Sequence, residues 1–286
     1  MNVTLPKKQH LKKRTLLIYG ISILVCIIAI IIVVSIQVLG NDVTNKMFGI
    51  TKLSTKTEEQ EGVLKSDFDE IFQNQSESEN SKSIDNLNKI EENKDFIYTG
   101  YQKQENEVNH YDINVQIPYI NIDNEITKKY NEEIKSQFED FAESALKNEN
   151  QNIIYTVEYQ AYIENDILSV IIRSNLKRGA SAQRVIVLTY NFDIVNQKEV
   201  SLLDMIQKCG LNENLVQSKI RADIEKEEEK IDELRKLGYN VYQRDVESDI
   251  YKLENSKQFF VHDQNLYIIY AYGNDALTSE MDLVIL

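Results

Sequence analysis

The chain has 286 residues, 42% of them hydrophobic, and a formal net charge of −14, so it is large enough for a sizeable core and too acidic to hold nucleic acid electrostatically. It has two cysteines, Cys26 and Cys209. A disulfide framework is therefore excluded, and an apolar core must supply the stability.

Residues 1–14 carry Lys7, Lys8, Lys12, Lys13 and Arg14 and no acid. Residues 15–39 follow as an apolar segment whose uncharged part, Leu16 to Leu39, is 24 residues dominated by Ile, Val and Leu. At about 1.5 Å per residue such a helix reaches about 36 Å, enough to cross a hydrocarbon core of about 30 Å. The cationic flank places the N-terminus in the cytoplasm and everything after about Gly40 outside. Val38-Leu39-Gly40 is a passable cleavage site, but signal peptides have apolar cores of about 7–15 residues, so an uncleaved anchor is expected. Cys26 follows Val25 where a lipoprotein needs a small residue, and is read as a thiol within the span. Removing the five cations of the tail leaves −19 on the remainder, which would attract cationic partners or simply keep the domain soluble. A disulfide-free domain outside the membrane fits a Gram-positive-like bacterium.

Residues 40–108 read as a polar, flexible tether rich in Ser, Asn, Gln, Glu and Lys. Phe68, Ile71 and Phe72 interrupt it as a short apolar cluster with transient helical character, and Phe96 to Tyr101 begins the ordered part or pairs as an edge strand. Residues 109–200 form a first α+β half. Tyr111 to Ile120 alternates as a strand with Ile113, Val115 and Ile117 on one face. Asn121 to Lys147 is one long amphipathic helix with an apolar stripe of Ile126, Tyr130, Ile134, Phe138, Phe141 and Ala145. Three strands follow: one carries Ile153, Tyr155, Val157, Tyr159, Ala161 and Ile163, and the next carries Leu168, Val170 and Ile172 after a turn at Asn165-Asp166. The third carries Ile186, Leu188, Tyr190 and Phe192, making an antiparallel meander for the helix to cover.

Residues 201–286 form a second half. Ser201 caps a short helix before Leu202, Leu203 and Met205. Asn212 to Leu237 is a second long helix with Leu215, Ile220, Ile224, Ile231 and Leu234 on its apolar side and Gly238 at a left-handed C-cap. Gln258–Val261 and Leu266–Tyr272 make a hairpin across His262-Asp263-Gln264-Asn265, and Met281 to Leu286 closes the chain as a strand. The expected fold class is thus α+β: a single N-terminal transmembrane helix, then antiparallel sheets packed against two long helices.

The segments VIVLTYNFDIVNQKEVSLLDM (Val185 to Met205) and QFFVHDQNLYIIYAYGNDALTSEMDLVIL at the C-terminus are similar to one known domain type. They resemble the paired extracytoplasmic domains of RsiV-type membrane proteins, also found beside the catalytic domain of PdaC-type peptidoglycan deacetylases. The resemblance rests on Phe192, Asp193, Leu203 and Asp204, and on Phe259, Phe260, Leu266, Tyr267, Tyr270 and Gly273, and covers about Asp112 to Leu286. It departs in two places. Arg178-Gly179-Ala180-Ser181 stands where the family often has Gly-Gly-Ala-His, and only about fourteen residues precede the span, too short for a helix that holds a sigma factor. The resemblance implies a receptor half without the transmitting half.

The chemical motifs are sparse. The histidines are His10, His110 and His262, and there is no HExxH, Cys-x-x-Cys or Gly-rich phosphate loop, so no catalytic set, metal or cofactor is expected. His262-Asp263 reads as an exposed turn. Ser181 near Arg178 and Arg184 is either a small anion site or a solvated loop. Tyr267, Tyr270 and Tyr272, with Tyr239 and Tyr242, either stack against a sugar or peptide or pack in the core. The acidic run Glu225, Glu227, Glu228, Glu229, Asp232 and Glu233 lacks a calcium loop and reads as a solvated helix face. The expected function is a non-catalytic, membrane-anchored binding or sensing module of the bacterial cell envelope, its ligand a cationic protein such as lysozyme or a cell-wall glycan. An accessory part of a peptidoglycan deacetylase or hydrolase system is the alternative, and a truncated anti-sigma factor ranks below both.

Overall fold

Phe68, Phe72 and residues 87–147 and 152–286 are described by the structure, a computed structural model. The apolar segment at 15–39 lies outside the described residues, and among the described residues no helix is long and apolar enough to cross a membrane. In chain order the elements are β1 (Ile97–Glu107), β2 (Tyr111–Ile120), α1 (Glu125–Ile134), a π-helical turn (Lys135–Glu139), α2 (Asp140–Leu146), β3 (Ile153–Glu164), β4 (Ile167–Arg178), β5 (Arg184–Asp193) and β6 (Lys198–Glu199). They continue with α3 (Leu202–Lys208), α4 (Glu213–Lys236), β7 (Phe259–His262), β8 (Asn265–Ala271) and β9 (Met281–Ile285).

Strands β1 to β6 form one sheet in sequential order, and β7 to β9 form a second. The fold is α+β and rich in antiparallel pairs, including the expected β3–β4–β5 meander. One pair departs from that expectation: β2 and β3 run parallel, Ile113 opposite Tyr155 and Val115 opposite Val157. A parallel pair needs a crossover of a dozen or more residues, and α1 and α2 supply it.

The alternation of side chains along each strand sorts the core into three layers. Ile113, Val115 and Ile117 of β2, Tyr155 and Val157 of β3, and Val170 and Ile172 of β4 bury one face of the large sheet under Tyr130, Ile134, Phe138 and Ala142 of the helical crossover. The opposite face carries Tyr162, Ile171, Val185 and Val187, which meet Phe260, Tyr267, Ile269, Leu283 and Ile285 of the small sheet. The other side of the small sheet, with Phe259, Leu266, Ile268, Tyr270 and Val284, is covered by Met205 and Ile206 of α3 and Val216, Ile220 and Ile224 of α4. The order is helix, sheet, sheet, helix. Strands β4 and β8 lie between layers on both faces, which is why Ile167–Ile172 and Leu266–Ala271 are buried at every position, with few polar interruptions.

The helical crossover is expected as one uninterrupted helix, and the π-helical turn corrects that. Tyr130, Ile134, Phe138 and Ala142 recur at intervals of four, and an α-helix overshoots by about 40° at each such step. The π turn takes up the surplus residue and keeps Phe138 and Ala142 on the sheet. The helix begins at Glu125, where Asn124 caps the Ile126 amide, rather than at Asn121.

Three further boundaries differ from the sequence reading. Phe96 to Tyr101 lies at the edge strand β1 as read, but residues 87–95 and 102–107, read as tether, also belong to the folded body: Asn121 binds the backbone of Glu91 and Asp95, and β1 pairs along β2 to Glu107. Phe68 and Phe72 are also buried, in the layer between the sheets, with Phe68 against Phe260 at 6.4 Å and Arg173 over the Phe72 ring at 4.3 Å. On α4 the buried face is Val216, Ile220, Ile224 and Ile231, whereas Leu215 and Leu234 are exposed. The turns follow expectation: Asn165-Asp166 and Asp263-Gln264 both have positive φ, Ser201 forms a capping box with Asp204, and Gly238 is left-handed at φ +90°.

Candidate functional site

Strand β5 organises a surface with two clefts large enough for a ligand. Its outer edge pairs with β6 only at Phe192 and Asp193, so the remaining amides and carbonyls need other partners. Side chains supply them. The Asn274 amide accepts from Val187 N at 3.0 Å and donates to Val187 O at 2.9 Å, replacing a neighbouring strand residue. Gln258 Oε1 accepts from Thr189 N at 2.6 Å, and Thr278 O accepts from Val185 N at 3.1 Å. Asn191 Oδ1 accepts a hydrogen bond from the Ser169 hydroxyl at 2.7 Å and its Nδ2 donates to the Phe259 carbonyl at 2.8 Å, joining the two sheets inside the core. The second sheet's turns are thus fastened to the first sheet's edge by amide side chains.

Two adjoining clefts, of about 590 and 700 Å³, flank this edge. They share Gln137, Leu188, Ser256, Lys257 and Gln258. The first extends to Tyr130, Glu199 and Ser201; the second to Arg184, Tyr242, Asn255 and Asn274. The walls combine ring faces, amides and hydroxyls with charges of both signs, among them Glu133, Glu199, Glu254 and Lys257 in the first cleft and Asp249, Asp275 and Lys257 in the second, which suits a polar, hydrogen-bonding ligand.

Three of the six residues singled out from sequence, Arg184, Tyr270 and Tyr272, lie on the wall of the larger cleft. Their polar atoms are already engaged. Arg184 donates from Nε to Gly273 O at 2.5 Å and from Nη2 to Asn274 O at 2.9 Å, so its guanidinium clamps a turn and offers no anion site. Tyr270 shares a hydrogen bond with Ser256 at 2.9 Å, and burial pushes its pKa up. Tyr272 donates to Asp282 at 2.5 Å; burial first, then the Asp282 charge, raise its pKa strongly. The other three lie elsewhere. Tyr267 is 3% exposed in the layer between the sheets, stacked on Phe260 at 4.6 Å. Arg178 lies over the Phe141 ring at 5.1 Å, and Ser181 is exposed in the turn that Gly179 opens at φ +51°. Tyr267 is therefore separated from Tyr270 and Tyr272, which share the cleft wall with Tyr242, and the Arg178–Ser181–Arg184 grouping does not form an anion pocket. Tyr242 stacks on Tyr272 at 4.0 Å, while Tyr239 is 62% exposed.

Sequence reading missed the most polar part of the core. Arg244, 5% exposed, binds Asp282 through Nε at 2.6 Å and Nη2 at 2.9 Å and reaches Glu280 at 3.2 Å. Burial alone would lower the arginine's pKa, but the bonds and charge of Asp282 outweigh it and the net shift is upward. Tyr251, pushed up to about 12 mainly by burial, extends the chain through a 2.8 Å bond to Tyr272. Glu228 of α4 accepts from Arg244 N at 2.9 Å, so this network ties the stretch after α4 to both the helix and β9. The signal available was Asp282 inside the apolar closing strand, but its pairing with Arg244 across 38 residues is not readable from spacing.

No protein-family model matches the chain, and no curated protein matches it. Among solved structures, a Bacteroides fragilis protein described as a member of the DUF3298 family is similar over 62% of this chain and 80% of its own, at 13% identity and a TM-score of 0.34. A score of that size does not establish a shared fold.

Proposed function

We propose that this chain is a membrane-anchored, extracytoplasmic binding module of the bacterial cell envelope that captures a ligand without transforming it. One observation carries the reading: the uncharged run from Leu16 to Leu39 behind a tail with five cations and no acid. The cleft pair along β5 is the ligand site in this reading. Its amides, hydroxyls and ring faces, between charges of both signs, favour a polar polymer rich in hydroxyls and amides, and a cell-wall glycan strand is the ligand class that best fits both that lining and the location.

Co-sedimentation of the full-length protein, in detergent, with purified peptidoglycan sacculi tests the proposal. Retention is expected to be little changed between about 50 and 500 mM salt, because a glycan is held by hydrogen bonds and ring faces, which salt does not screen. Binding to lysozyme alone, lost at high salt, would transfer the reading to a cationic protein docking on the acidic surface. Failure to bind either would refute the binding role.

A further inference from the structure

The tips of the two hairpins, one from each sheet, are held side by side. In β3–β4 the turn is Asn165-Asp166, with φ of +50° and +61°; in β7–β8 it is Asp263-Gln264, with φ of +49° and +62°. Glu164 ends β3 and His262 ends β7, so they occupy the same position in equivalent turns. The Glu164 carboxylate accepts from the Asp263 amide at 2.5 Å and the Gln264 amide at 3.4 Å, which fixes one tip against the other. The His262 ring lies flat on Tyr162, centroids 3.9 Å apart and planes 23° apart, which fixes the imidazole. His262 Nδ1 is 3.6 Å from Glu164 Oε1, and its Nε2 is 3.5 Å from Asp263 Oδ2.

We propose that Glu164, His262 and Asp263 form a binding site for a divalent transition-metal ion, of which Zn²⁺ is the probe. One donor atom from each of the three lies within 4.8 Å of the others. An ion set among three such atoms is no more than about 2.8 Å from each, and zinc bonds to nitrogen and oxygen of about 2.0–2.2 Å need a closure below about 1 Å. The Asp263 side chain, 82% exposed, is free to make that movement, while Glu164 and His262 are at 23% and 26% and stay in place. A metal takes only one ring nitrogen, so Asp263 turns toward the nitrogen that the ion uses.

Donor chemistry sets the class of ion. One imidazole with two carboxylates suits zinc, nickel, copper or manganese, whereas calcium requires six to eight oxygens. The supporting contacts are those a metal site uses to hold its ligands: backbone amides on the glutamate and an aromatic face on the histidine. Since Glu164 belongs to the large sheet and His262 to the small one, a bound ion would pin the two sheets together at this end.

The test is thermal unfolding of the full-length protein in detergent with and without Zn²⁺, using Cys209→Ser as the reference so that the thiol on the folded body plays no part. Zinc at about 100 µM is expected to raise the midpoint of Cys209→Ser, and titration calorimetry is expected to give one ion per chain. Adding His262→Gln or Asp263→Asn should weaken binding at least tenfold and abolish the rise; Asp263→Asn, at an exposed position, keeps the fold intact for the comparison. Calcium in place of zinc is expected to produce no rise. The proposal is overturned if zinc fails to shift the reference protein, or if the shift survives His262→Gln, which would assign it to the acidic surface at large.

Discussion

Replacing Gly273 with alanine tests the seam between the two sheets. A Cβ built on Gly273 would stand 1.8 Å from the Val185 carbonyl oxygen and 2.6 Å from that of Thr278. Carbon and oxygen approach no closer than about 3.3 Å even in weak hydrogen bonds, so the turn would have to withdraw from β5 by about 1.5 Å. Five bonds cross this seam: Arg184 to Gly273 O and Asn274 O, Val187 N to Asn274, Asn274 to Val187 O, and Val185 N to Thr278 O. A bond near 3 Å does not survive such a displacement. At about 0.5–1.5 kcal/mol net for each bond, losing half of them costs about 2.5 kcal/mol. Urea unfolding is the assay: the midpoint should fall with the slope unchanged. Gly179→Ala is the comparison, because its Cβ would meet nothing within 4 Å and only its φ of +51° opposes it, a cost of about 1 kcal/mol. If Gly273→Ala lost no more stability than Gly179→Ala, the seam would not be close-packed as described.

Asp193 accepts two bonds from Asn196 and pairs with Lys208 at 2.9 Å. Burial would raise its pKa, but these partners outweigh it and bring it from 3.8 to about 2. A folded pKa below the unfolded one gives stability that is complete above pH 3.8 and lost as pH falls toward 2, so Asp193→Asn should cost about 2 kcal/mol at pH 7 and progressively less below pH 4 in acid-titrated urea curves. Asp282→Ala leaves Arg244 buried without its main partner and should cost about 3–5 kcal/mol; Arg244→Met with Asp282→Leu should recover most of that in the same denaturation assay. Phe68→Ala should cost about 3 kcal/mol, since Phe68 is 1% exposed between the sheets, and an effect below 0.5 kcal/mol would return that residue to the tether.

Much of this arrangement was legible in local patterning. Period-two alternation assigned Ile113, Val115 and Ile117 to one face, and Asn165-Asp166, Ser201 and Gly238 marked their turn and caps, because those features depend on neighbours in sequence. The parallel β2–β3 pair was not read, although the helical crossover between the strands is the feature that permits it. Nor was the separation of Tyr267 from Tyr270 and Tyr272, although odd and even positions of one strand face opposite layers. What sequence does not carry is pairing across distance. Nothing near Phe68 marks it for a place against Phe260, nor Arg244 for Asp282, nor Glu164 for the amides of a turn about a hundred residues later.

Cys209 is free and exposed on the folded body, and Cys26 lies within the apolar run, so the chain carries its own pair of topology reporters. Intact bacteria expressing the full chain would be treated with a membrane-impermeant maleimide, then lysed and treated again with a second label. An extracytoplasmic head predicts that Cys209 takes the first label, that Cys209→Ser abolishes it, and that Cys26 takes none. First labelling of Cys209 only after lysis would place the body in the cytoplasm and contradict the account.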